Sequence, residues 1–136
     1  MAEPRSKNDT LKETRRVLNA RPEIAFAYVF GSFVDEETFR DLDLAIYVDP
    51  TNKLVHRLFY DIELSNQLEQ LLELPVDVIV LNRAAPLMVY RASQGLLIKN
   101  DDDNTRVDFI STKWRLYWDF RDMIHAHIPE MKHGSR

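Results

Sequence analysis

The chain has no cysteine. That excludes disulfides, thiolate metal sites and a cysteine nucleophile, and it fits a reducing compartment. An excess of basic charge is also missing: the formal net charge is −4. Domains that hold nucleic acid by bulk electrostatics carry a basic face, so no direct nucleic-acid contact is expected. No apolar run approaches the roughly 20 residues that span a bilayer. Residues 1–10 are polar and lack the apolar stretch of a signal peptide. A cytoplasmic protein without membrane attachment is the expectation. Internal repeats and low-complexity linkers are absent too. What is present suits one packed domain over residues 1–136, with 45% apolar residues for a core and 29% charged residues for a solvated surface.

The apolar pattern alternates helices with strands. Residues 11–20 read as a helix that Asn8, Asp9 or Thr10 can cap and Pro22 ends. Residues 24–30 read as an interior strand because both faces are apolar. Ile24, Phe26, Tyr28 and Phe30 form one face; the smaller Ala25, Ala27 and Val29 form the other and let a helix pack close. Residues 41–49 form a second strand, with Leu42, Leu44, Ile46 and Val48 pointing one way and Asp41, Asp43, Ala45 and Tyr47 the other. Pro50 stops it. Thr51 or Asn52 can cap a helix over residues 53–73, where Leu54, Leu58, Ile62, Leu68 and Leu72 fall near helical spacing. Residues 75–81 form a third strand, residues 84–94 a helix stopped by Gly95, and residues 96–99 a short edge strand. Asp101, Asp102 and Asp103 read as a turn and cap for a last helix striped with Val107, Ile110, Trp114, Tyr117 and Trp118. This order implies an α/β sandwich.

Three features can carry chemistry, and each also has an ordinary reading. Gly31-Ser32 ends the first strand. It is either a turn or a place where bare backbone and a hydroxyl, helped by the start of a short helix, hold a phosphate chain. Asp41 and Asp43 are either a solvated strand edge or a carboxylate pair projecting to one side, as Mg²⁺ requires of its one or two protein ligands. Asp77 lies in the apolar run Pro-Val-Asp-Val-Ile-Val-Leu. An ionised carboxylate in that strand needs an arginine or a metal, because burying it alone is costly. Adjacent strands can bring Asp41, Asp43 and Asp77 to one site beside Gly31-Ser32.

Phe30-Gly31-Ser32, then Asp41-Leu42-Asp43-Leu44, then Asp77 resemble the motifs of the nucleotidyltransferase superfamily that includes DNA polymerase β and the aminoglycoside nucleotidyltransferases. Within it the chain is most similar to the minimal nucleotidyltransferase (MNT) antitoxins of HEPN/MNT toxin–antitoxin pairs. The resemblance runs from Ile24 to about Ile124 and implies a nucleotidyltransferase fold of class α/β (α+β), a small mixed sheet flanked by helices. It implies ATP as substrate and two Mg²⁺ ions. Asp41 and Asp43 are assigned to both ions, Asp77 to the ion on the acceptor side, and Gly31 and Ser32 to the nucleotide. It implies transfer of AMP to a tyrosine of a HEPN-family ribonuclease toxin within a hetero-oligomer. One stretch departs from many relatives. Ser32 and Asp41 are nine positions apart, and the interval carries Asp35, Glu36 and Glu37 where a longer loop is common. Acid there repels a triphosphate, so two alternatives stand: a module that neutralises the toxin by binding alone, and a small-molecule nucleotidyltransferase of the aminoglycoside type.

Other residues have simpler roles. His125, His127 and His133 are assigned to a frayed terminus and His56 to a solvated helix face. Arg83 and Arg91 are assigned to surface ion pairs instead of phosphate contacts. Trp114, Tyr117 and Trp118 are assigned to core packing or a protein interface.

Overall fold

A computed structural model describes residues 6–53 and 57–127. The elements follow in the order α1 (Lys7–Asn19), β1 (Ile24–Phe30), α2 (Ser32–Asp35), β2 (Leu42–Val48), α3 (Tyr60–Leu72), β3 (Val76–Val80), a 3₁₀ turn (Leu81–Arg83), α4 (Pro86–Ser93), β4 (Leu96–Asn100) and α5 (Asp103–His127). The four strands form one sheet in the order β3-β2-β1-β4. β1 runs antiparallel to both β2 and β4, while β2 and β3 are parallel and are joined through α3. The sheet is therefore mixed and flanked by helices, the architecture expected from the sequence.

β1 is interior, and a register shift between Ile24 and Phe26 explains its two apolar faces. The shift turns Ile24 to the same side as Ala27 and Val29, while Phe26 and Tyr28 face the other side. On the first side the even-numbered residues of β2 (Leu42 to Val48) and Val76, Val78 and Val80 meet Leu11, Val17 and Leu18 of α1 and Leu64, Leu68 and Leu72 of α3. On the second side Phe26, Tyr28, Ala45 and Tyr47 meet Val89 and Ala92 of α4, with Phe109 and Ile110 of α5 packed against them. Phe26 stacks on Tyr47 and Phe109 is tilted against Tyr47, with ring centroids 4.8 Å apart in both pairs. Among the described residues, no helix is long and apolar enough to cross a membrane.

Several boundaries differ from expectation for local reasons. α1 begins earlier, because Ser6 is the cap and its hydroxyl accepts from the Asp9 amide at 3.1 Å. The long helix expected over residues 53–73 begins only at Tyr60. Asp49 closes a turn instead, its carboxylate accepting from the Thr51 amide and hydroxyl. Phe59, with φ 68, then interrupts the chain just before the helix. Leu54 and His56 lie outside the described residues, as does His133. Asp102 caps α5 as expected, accepting from the Thr105 amide and hydroxyl. His125 and His127 sit inside the last turn of α5, not in a frayed segment.

Candidate active site

The site is built where β1 ends and β2 begins. β1 and β2 pair Phe30 with Asp43, so the turn that follows Phe30 passes beside the Asp43 carboxylate. Gly31 takes that turn at φ 77, ψ −152, a conformation that side-chain-bearing residues rarely adopt. A methyl group at this position would stand 2.4 Å from Oδ2 of Asp43. Glycine is thus required twice, by its dihedral angles and by the closeness of the carboxylate. Ser32 opens the single turn of α2 and its hydroxyl donates to Oδ1 of Asp41 at 3.2 Å. The first amides of that turn have no acceptor within it, as at any helix start.

β2 and β3 pair Asp43 directly with Asp77. Asp41 lies two residues before Asp43 and projects to the same face. The structure therefore brings together all five residues singled out from the sequence: Gly31, Ser32, Asp41, Asp43 and Asp77. Burial, then Asp41, then Asp77 hold the Asp43 carboxyl above its ordinary pKa. None of the salt bridges among the described residues uses Asp41, Asp43 or Asp77.

The argument for Asp77 needs correction. The apolar run around it suggested a buried carboxylate, but β3 is an edge strand and Asp77 is exposed. Val76, Val78 and Val80 turn to the core, while Asp77 turns to the opposite, open side. Its significance lies in the pairing with Asp43, not in a burial cost.

Two clefts flank the carboxylates. One, of about 420 Å³, is lined by Phe30, Gly31, Val34, Asp35, Asp43, Arg91, Gln94 and Gly95. The other, of about 390 Å³, is lined by Ser32, Glu36, Thr38, Arg40 and Asp41. The short acidic stretch thus borders both. It is held by Phe33, which is buried and packs edge-on against Phe39 at 4.6 Å, and by Lys7, which donates to the Glu36 carbonyl. Arg91 and Gln94 were missed as cleft residues. The only local signal was their spacing of three, with Arg91 in the last turn of α4 and Gln94 at its C-cap.

Among the described residues, no group of three or more His, Asp or Glu side chains is arranged to hold a metal ion as it stands. The donor set nevertheless suits Mg²⁺, an oxygen-seeking ion that takes one or two carboxylates and completes its shell with water and substrate phosphates. Crowded carboxylates that enter no salt bridge among the described residues, one with a raised pKa, are what such an ion relieves.

Residues 12–104 match the family model described as polymerase beta, nucleotidyltransferase. The chain belongs to that nucleotidyltransferase family. The matched span contains Gly31, Ser32, Asp41, Asp43, Asp77 and Arg91, and it ends as α5 begins. No curated protein matches the chain. Solved structures extend the likeness to α5. An MNT antitoxin in complex with a tri-AMPylated HEPN toxin from Shewanella oneidensis is similar with a TM-score of 0.72 and 17% identity, over 93% of this chain and 98% of that one. The toxin–antitoxin complex MntA–HepT gives 0.67 and 16%, over 92% and 98%. A toxin–antitoxin complex with AMP-PNP gives 0.69 and 18%, over 91% and 97%. At these identities the likeness establishes the nucleotidyltransferase fold.

Proposed function

We propose that this chain is a single-domain nucleotidyltransferase antitoxin of the cytoplasm. It transfers AMP from ATP to a tyrosine of a HEPN-family ribonuclease toxin, with which it forms a hetero-oligomer. The observation that carries the proposal is the convergence of Asp41, Asp43 and Asp77 on one face, with Asp43 paired to Asp77 and passed closely by Gly31. The partner and the modification are supported by the structural likeness to an MNT antitoxin that is found with a tri-AMPylated HEPN toxin. ATP is supported by the similar complex with AMP-PNP.

In this reading Asp41 and Asp43 would hold two Mg²⁺ ions, with Asp77 as the further ligand on the acceptor side. The ions supply charge neutralisation of the triphosphate and a lowered pKa for the incoming hydroxyl. Gly31 leaves room for the Asp43 carboxylate to lie against the backbone, and Ser32 donates to the Asp41 carboxylate. Asp77, exposed at the sheet edge, is open to a side chain offered by another protein and is placed to accept its proton. A tyrosine suits that geometry because its hydroxyl stands far from its own backbone. The protein's share of catalysis is positioning and electrostatics.

The test is intact-mass spectrometry of the HEPN partner after incubation with this protein, ATP and Mg²⁺. Each transfer adds roughly 329 Da, the mass of AMP less one water. Asp41→Asn and Asp43→Asn should prevent it, and Asp77→Asn should retain ATP binding better than transfer. A second reading, neutralisation by binding alone, is favoured by Asp35, which adds acid to the cleft beside Asp43. Unmodified toxin that is still neutralised, equally well by Asp43→Asn, would establish that reading instead.

A further inference from the structure

Arg91 lines the cleft beside Asp43, as Arg40 lines the one beside Asp41. Val89 and Ala92 bury one side of α4 against the sheet, and Arg91 and Gln94 share the side that lines the cleft with Gly31, Asp35 and Asp43. Its location is fixed by Gly95. A methyl group on Gly95 would meet the Val29 carbonyl oxygen at 2.1 Å and Cα of Phe30 at 2.9 Å. The end of α4 is therefore pressed against the end of β1, one residue from Gly31. Arg16, Arg21, Arg57 and Arg106 are all engaged in ion pairs, whereas Arg91 forms none with any described residue. Asp35 and Asp43 line the same cleft, yet the guanidinium is not closed onto either. Among the described residues Arg91 is the only cation lining this cleft, whose polar lining is otherwise acid or amide.

A nucleoside triphosphate entering beside Asp43 brings several negative charges to a wall that already carries two carboxylates. Magnesium offsets part of that charge at the Asp41–Asp43 side. A guanidinium across the cleft offsets more, and its planar donors match two phosphate oxygens at once. We propose that Arg91 binds the phosphate chain of the nucleotide, as a substrate-binding residue supplied by α4. This rests on the nucleotidyltransferase reading above and adds a contact to it. The ordinary alternative is that a basic residue in the last turn of α4 merely complements the helix end.

Calorimetry with Mg²⁺ and two probes, ATP and inorganic triphosphate, separates the two. Arg91→Ala should weaken both by the same factor, about ten- to a hundredfold for a charge-assisted contact. Arg91→Lys should recover part of the loss, and circular dichroism should show the fold intact. Arg115→Ala, remote on α5, controls for net charge and should leave both affinities unchanged. Wild-type affinity in Arg91→Ala overturns the proposal. So does a loss for ATP without one for inorganic triphosphate, which would assign Arg91 to the nucleoside, or an equal loss in Arg115→Ala. If Asp43→Asn weakens ATP binding while Arg91→Ala does not, the nucleotidyltransferase reading survives and this inference falls. If the wild-type protein binds neither probe, both fall.

Discussion

The two faces of the sheet differ in kind. On the face covered by α1 and α3, Leu18, Ile24, Leu44, Ile46, Leu64 and Leu68 are wholly excluded from water. That side is sealed and carries none of the site residues. The other face starts with three carboxylates, continues through Ala45 and Tyr47, and is covered by α4 and by α5, a helix of 25 residues with no buried position. The first face holds the fold together. The second gives up burial to keep charge, clefts and helical surface open. The candidate site residues lie on the second face.

Truncation should show the largest contrast. Leu68→Ala on the sealed face should cost about 2–5 kcal/mol in urea unfolding, because it leaves a cavity in a closed core. Leu116→Ala on α5, where the side chain is 47% exposed, should cost less than about 0.5 kcal/mol. Similar losses would erase the distinction between the faces.

Gly31→Ala tests the site side. It forces a methyl group against Asp43 Oδ2 and strains the left-handed turn, so a loss of about 1–3 kcal/mol and of nucleotide binding is expected. Unchanged calorimetric affinity would show that the close approach does not matter.

Tyr60 gives the sealed face a pH signature. Its hydroxyl donates to Glu23 Oε2 at 2.6 Å, while Arg21 Nη1 donates to the Tyr60 oxygen at 3.3 Å. Burial and then the hydrogen bond to Glu23 push its pKa up to about 12. The folded state therefore holds this proton more tightly than the unfolded chain. Its contribution to stability is complete below about pH 10 and is lost as pH rises towards about 12. Unfolding midpoints of the wild type should fall across that window, and Tyr60→Phe should flatten the fall.

The smallest effect is a gain in stability on substitution. Asp43 also has a raised pKa, so its contribution is present at acid pH and lost as pH rises through the folded value. At neutral pH its ionised form opposes folding. Asp43→Asn should therefore stabilise the metal-free protein by about 0.5–1 kcal/mol after solvent screening. Added Mg²⁺ and ATP should favour the wild type instead. Destabilisation by Asp43→Asn without metal would contradict the account of crowded charge.

Much of this contrast was legible in the chain itself. The alternation in β2 separated core residues from carboxylates, and Gly31-Ser32, Asp41-Asp43 and Asp77, singled out by their order, are residues the fold brings together. What could not be read depended on neighbours remote in sequence. The exposure of Asp77 follows from the edge position of β3, which no local run of valines announces. Gly95 read as a helix stop, yet its closeness to Val29 and Phe30 is what seats α4 beside the site. Arg91 becomes a cleft residue only once that contact exists. The helix expected from residue 53 failed locally, since the Asp49 side chain closes a turn and Phe59 adopts a left-handed conformation that spacing of leucines does not reveal. On α5 the aromatic stripe divides. Trp114 and Tyr117 pack on Tyr90, and the Trp114 indole donates to Ser93 Oγ at 2.7 Å, while Trp118, edge-on to Tyr90, stays 38% exposed.

The central claim is that Asp41, Asp43 and Asp77 form one centre for moving a nucleotidyl group onto a protein. The most direct measurement is label transfer to the HEPN partner from ATP carrying its radiolabel on either the α- or the γ-phosphorus, with Mg²⁺ present. The account predicts that the α-label appears on the partner, that the γ-label does not, and that Asp43→Asn transfers neither. Transfer of the γ-label, or α-label transfer that persists in Asp43→Asn, would contradict it.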